Sequence, residues 1–148
     1  MPNISVTKVS SVIADPVNGT NNPKAIPGAT IEYLITVSNT GTGPADADSV
    51  VVWDDGPADA KFCLIDRASG PIIFNDPGGN SGLTYTFGGL GVTTDDVEFS
   101  SDDGTSFGYT PTADGDDCDS AVTDFRVNPG GAFAGGSSIT LRVRYQVE

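Results

Sequence analysis

The sequence predicts an all-β protein, one antiparallel β-sandwich of nine or ten strands with long Asp- and Gly-rich loops. Three observations lead there. Apolar and polar residues alternate with a period of two, most clearly through Ile31, Tyr33, Ile35 and Val37 and through Ile139, Leu141, Val143, Tyr145 and Val147. The everyday helix formers are scarce, with five Leu, three Glu and three Lys in 148 residues, and no stretch keeps a 3.6 period. Nineteen Gly and ten Pro break the chain at short spacing, which favours a sandwich over a barrel. The length fits a single domain, 1–148, with a real core.

In order, residues 4–13 read as a first strand. Ile4 and Val6, then Val9 or Val12, are its inward candidates, with a bulge where the alternation breaks. Residues 15–27 form a long, flexible polar connection. Pro27-Gly28 turns the chain into the strand around Ile31–Val37, and Asn39-Thr40-Gly41 with Gly43-Pro44 turns it out. A Val-rich strand, 49–53, ends at Asp54-Asp55-Gly56-Pro57. Short strands are expected at 61–66, 71–74 and 83–87. Residues 97–99 and 106–109 flank Asp102-Asp103-Gly104 as a hairpin. Ala121–Asn128 is a strand with Thr123, Phe125 and Val127 on one face and Val122, Asp124, Arg126 and Asn128 on the other. Ser137–Val147 is the last and cleanest strand.

Pro27–Ala60, PGATIEYLITVSNTGTGPADADSVVVWDDGPADA, carries a resemblance. It is similar to the signature of an Ig-like repeat domain of bacterial and archaeal cell-surface proteins, in which Pro-Gly opens a Tyr-x-Ile-x-Val-x-Asn strand and a Val-rich strand ends at Asp. Ile4–Ser11, ISVTKVSS, resembles that family's first strand. The resemblance implies an Ig-like sandwich with a structural or adhesive role at the cell surface. Beyond Ala60 only general β character is visible.

The net charge of −13 comes from seventeen Asp and three Glu against seven Lys and Arg. Turns favour Asp, so the acid belongs to loops. Such a chain repels nucleic acid and anionic membrane, and its charged partners are cations or basic patches. No apolar run is long enough to span a membrane, and no hydrophobic signal segment is present. Histidine is absent, which removes the commonest general base and the usual triads, and Cys63 lies in an apolar FCLI setting that suits a nucleophile poorly. No catalytic function is expected. Cys63 and Cys118 form no CxxC. In an exported chain a disulfide is the default reading, the other being two buried thiols.

The best site-like feature is the loop Asp114-Gly115-Asp116-Asp117-Cys118-Asp119, with Asp114, Asp116, Asp117 and Asp119 as calcium ligands. Asp95 and Asp96 are a second choice, and solvated turns are the bland alternative. A Lys8–Asn128 isopeptide bond assisted by Glu32 is a further idea, drawn from Ig-like surface domains. Phe87 and Phe133, on Gly-rich loops, are candidates to touch a glycan or protein ligand, or else to cap the ends of the sandwich. Asn3 and Asn18 head sequons.

The expected function is therefore a secreted or cell-surface structural subunit that assembles with copies of itself into a filament. Residues 1–13 would be the exchanged strand, burying Ile4, Val6, Val9 and Val12 in the next copy, with calcium stabilising the fibre. The alternative is an adhesive or spacer module of a larger surface protein.

Overall fold

The computed structural model describes all 148 residues, Met1–Glu148. It is an all-β sandwich of nine strands: β1 (Ile4–Ala14), β2 (Thr30–Asn39), β3 (Val52–Asp55), β4 (Ala60–Cys63), β5 (Ile73–Asn75), β6 (Val97–Ser100), β7 (Cys118–Asp119), β8 (Asp124–Val127) and β9 (Ser137–Val147). The larger sheet runs β1-β2-β9-β4-β7, with β5 also paired to β9. The smaller runs β3-β8-β6. Every strand pairing is antiparallel.

The alternation seen in the sequence explains the layers. Strand β9 buries Ile139, Leu141, Val143 and Tyr145, while Thr140, Arg142 and Arg144 face away. It pairs with β2 from Thr30↔Gln146 to Asn39↔Ser137 without a slip. Residues directly opposite share a face, so Ile35 and Val37 join the same core. From the smaller sheet come Val52, Val97, Phe99, Phe125 and Val127. Phe62 sits at the centre, its ring 5.5 Å from Phe99, 5.6 Å from Phe125 and 5.3 Å from Tyr145. Gly28 holds φ +84 at the entry to β2, where a Cβ would stand 2.8 Å from Pro16 Cγ, so only glycine fits that turn.

Several expected elements differ. Residues 83–87 form no strand, and their one bridge is Thr84↔Gly130, outside the sheets. Residues 106–109 are likewise reduced to a Phe99↔Tyr109 bridge. Strand β3 begins at Val52 rather than at residue 49, and β7 lies inside what reads as an acidic loop. The connection after β1 is not loose. The Asp15 carboxylate, 6% exposed, accepts from the N–H groups of Val17 (2.7 Å), Asn18 (2.6 Å) and Lys24 (2.6 Å) and from Asn18 Nδ2 (3.0 Å). One buried Asp thus organises residues 15–24 by local backbone hydrogen bonding.

Candidate functional site: an open seam beside the first strand

Strand β1 is one of the two outer strands of the larger sheet and β3 one of the two of the smaller. Both lie on the same side of the sandwich, and the smaller sheet is too narrow to cover β1. Ile4, Val6 and Lys8 stand opposite Asn39, Val37 and Ile35, so they face inward. They nevertheless stay open, and residues 4–11 are all exposed. Between the two edges runs a groove of about 310 Å³, lined by Ile4, Val6, Val37, Val50, Val51 and Trp53 among others. Val6 is 59%, Val51 56% and Trp53 56% exposed, an apolar strip on a highly charged molecule.

One polar strap crosses the groove. Lys8 Nζ donates to Asp54 Oδ1 at 2.7 Å and Oδ2 at 2.8 Å, and stands 4.6 Å above the Tyr33 ring. Burial raises the Asp54 carboxyl above its ordinary range, and the hydrogen bonds and charge of Lys8 only partly offset that. At the far end Asn39 is buried but satisfied. Its Nδ2 donates to the carbonyls of Gly43 (3.0 Å) and Phe133 (2.9 Å), and its Oδ1 accepts from Asn3 N–H (3.0 Å) and Gly41 N–H (3.1 Å). The start of β1 is thereby tied to the end of β2.

The expected assembly residues divide. Ile4 and Val6 line the groove. Val12, half-buried, lies opposite Ile31 on the same face. Val9 does not belong with them: it lies opposite Leu34, on the outer face, because β1 runs in unbroken register as far as Val12. The irregularity falls between Val12 and Ala14, later than the sequence pattern suggests.

The acidic loop does not bring its four carboxylates together: two meet on a lysine and the others point elsewhere. Asp114 Oδ2 (2.6 Å) and Asp116 Oδ2 (2.8 Å) accept from Lys61 Nζ, Asp117 occupies the left-handed region at φ 58, and Asp119 turns inward to accept from Tyr109 Oη (2.9 Å) and Thr112 N–H (2.7 Å). The Lys61 hydrogen bond is the main reason Asp114 titrates at about 2. Asp95 accepts from Gly88 N–H and Asp96 from the Thr86 N–H and hydroxyl. These are turn-forming bonds, and no three acidic side chains converge on one point anywhere in the chain.

Cys63 and Cys118 are joined in a disulfide that links directly opposite residues of β4 and β7. The three residues of the expected isopeptide bond are kept apart. Lys8 is on Asp54, Asn128 Nδ2 donates to Glu98 Oε2 at 2.9 Å, and Glu32 is held by Arg67, Arg142 and Arg144 at 3.3, 2.9 and 3.0 Å. Phe133 is 0% exposed, so it plugs the core and is not available to a ligand, while Phe87 is half-buried and packs on the outside of the core cluster. The arginine cluster on Glu32 is a feature of the fold that no local motif announces. Its signal was present, since Arg142, Arg144 and Glu32 all fall on the polar faces of two strands that alternate cleanly, but only the β2–β9 register brings them together.

No family model and no curated protein matches the chain. Among solved structures it is similar to the CBM3a-L domain, with flanking linkers, from scaffoldin cipA of the cellulosome of Clostridium thermocellum, at 12% identity and a TM-score of 0.35, over 99% of this chain and 68% of that one. At that level of similarity it says nothing about what this chain does.

Proposed function

We propose that this protein is a secreted, non-catalytic structural subunit that assembles with copies of itself by exchanging β1. The observation that supports this reading is the seam. The first strand contributes almost nothing to its own core, yet it lays Ile4 and Val6 along an apolar groove that the fold leaves open. A strand held mainly by its ladder to β2 can make the same ladder with β2 of a neighbour. Transfer therefore loses little, and the body of the neighbour then covers the groove. The register irregularity at Val12–Ala14, followed by the turn fixed on Asp15, is the hinge about which the strand swings. Head-to-tail transfer does not close on itself, so it builds a filament. The resemblance of residues 4–60 to a surface-protein repeat agrees with a role outside the cell, and the Cys63–Cys118 disulfide suits an oxidising compartment.

Negative-stain electron microscopy of the concentrated protein tests this, with calcium and with chelator. Filaments are expected from the full chain and none after deletion of residues 1–13. Since that deletion also removes a strand, a second variant is needed. Val6→Asp replaces a residue that is 59% exposed in the single subunit, so the fold survives, but the charge is buried once a neighbour covers the groove. Folded Val6→Asp protein without filaments supports the proposal. Normal filaments from either variant, or a full chain that stays monomeric throughout, overturns it; the monomer would leave the adhesive or spacer module as the reading.

A further inference from the structure

The pairing of β1 with β2 is nearly blind to sequence. Ladder bonds join backbone to backbone, so a strand moved along β2 by two residues makes the same bonds with the same face inward. Burial normally penalises such a slip. Here it does so weakly, because Ile4, Val6 and Ser10 all stay exposed beside the seam. A strand that passes from one copy to another therefore needs something besides its ladder to fix where it stops and which body it enters.

Lys8 is the only charged residue of β1. It lies opposite Ile35, which is buried, so it points inward between the sheets. Its two bonds to Asp54, at 2.7 and 2.8 Å, are the only hydrogen bonds residues 4–14 make outside their ladder to β2. No other ion pair joins the larger sheet to the smaller.

Asp54 is the matching half. It stands opposite Phe125, which is wholly enclosed, so its carboxylate lies on the inner face of β3. The side chain is 12% exposed, and Lys8 is its one donor. Asp55 and Asp124 both repel it. Without β1, the body presents an apolar groove with a nearly buried, unpaired carboxylate at its side, which is strongly unfavourable. A slip of two residues in either direction brings Val6 or Ser10 to the place of Lys8 and leaves the same charge unpaired.

We propose that Lys8 and Asp54 are the specificity-determining pair of strand exchange, the incoming strand seating only where its Lys8 reaches Asp54 of the receiving copy. This rests on the assembly reading above and adds to it the register and the choice of partner. Any strand of alternating character can offer apolar side chains in the places of Ile4 and Val6. Only one with a cation two residues further on satisfies the receiving carboxylate. The body thereby distinguishes a second copy of this chain from an apolar strand of another protein.

Charge reversal on each side in turn tests this. Full-length Lys8→Glu and Asp54→Lys are purified separately, checked for folding by circular dichroism, and concentrated alone and in equal mixture. Each variant sets like charges across the seam in every contact with its own kind, and should yield roughly tenfold less filament than the parent protein, or none. The mixture should recover filaments, because the strand of each variant then meets an opposite charge in the body of the other. A bond that served only to hold each copy's own strand could not produce recovery on mixing. The double variant Lys8→Glu, Asp54→Lys should assemble by itself and, carrying a second dye, should stay out of the parent's filaments. Parent filaments without recovery in the mixture overturn the inference and leave the assembly reading standing. Single variants that assemble as well as the parent, or a double variant that enters the parent's filaments, do the same. A parent chain that forms no filaments overturns both.

Discussion

Phe62 shows what one residue can hold. Three other aromatic rings lie within 5.6 Å of its centroid, and it connects both sheets. Phe62→Ala should lower the unfolding free energy by about 3–5 kcal/mol, because removing a fully enclosed ring leaves a cavity the rigid sheets cannot collapse into. A urea midpoint within error of the parent protein's would show that the core lies elsewhere. Residue-level readings from the sequence succeeded where one face of a strand decided the matter. Phe125 and Val127 are buried as the alternation required, as are Ile139, Leu141, Val143 and Tyr145. They failed where a carboxylate has two kinds of use. Asp119, read in an acidic loop, and Asp124, read on the polar side of a strand, carry no mark of burial in the sequence, yet both are buried, one against Tyr109 and one against Trp53. Nothing in local spacing separates a buried Asp from a solvated one, because the fold brings in the partner, Trp53 from β3 for Asp124 and Tyr109 from the preceding loop for Asp119.

At the scale of elements, the long strands β1, β2 and β9 were legible, and β3, β4, β5, β6 and β8 fall within or beside the short stretches the sequence marks, but β7 was not legible. Strands β2 and β9 each carry enough alternation to fix period and face. Strand β7 has two residues, and its pairing with β4 consists of Phe62↔Asp119 and Cys63↔Cys118. Two ladder positions do not hold a strand by themselves, and the disulfide stands at one of them. Opening the bridge frees a loop with a sequence separation of 55 residues. The paired change Cys63→Ser, Cys118→Ser should therefore cost about 4 kcal/mol on the chain-entropy account. Chemical denaturation of the variant beside the parent protein measures this, and equal midpoints would rule the account out. The same logic explains the two lost strands. Residues 83–87 and 106–109 alternate well, but each finds only a single bridging partner, so β pattern without a neighbouring edge yields an extended loop.

At the scale of the molecule, a chain of net charge −13 feels two opposed effects of acid. Protonation relieves general repulsion, which favours the compact state. It also removes specific bonds that hold several carboxyls below their ordinary range. Asp15 is lowered chiefly by the N–H of Asn18, Asp76 by the Ser81 hydroxyl, Asp102 by that of Ser106, Asp114, to about 2, by Lys61, and Glu98 by Arg126. In Glu32 burial pushes upward, but Arg144 and Arg142 outweigh it. Asp54 goes the other way, raised by burial. A carboxyl whose pKa is lower in the folded state contributes stability that is present above its unfolded value, near 4, and is lost as the pH falls through the folded value. Asp54 contributes in the opposite sense, its cost appearing as the pH rises through its folded value. With six groups lowered against one raised, these local bonds make the unfolded chain bind more protons than the folded one between about pH 4 and pH 2, which opposes the relief of repulsion. Stability should be nearly level from pH 7 to about pH 5, then fall steadily towards pH 2. Urea unfolding at several pH values in fixed salt checks the sign. A protein as stable at about pH 2.5 as at pH 7 would show that repulsion among its acidic loops, not their hydrogen bonds, governs the folded state.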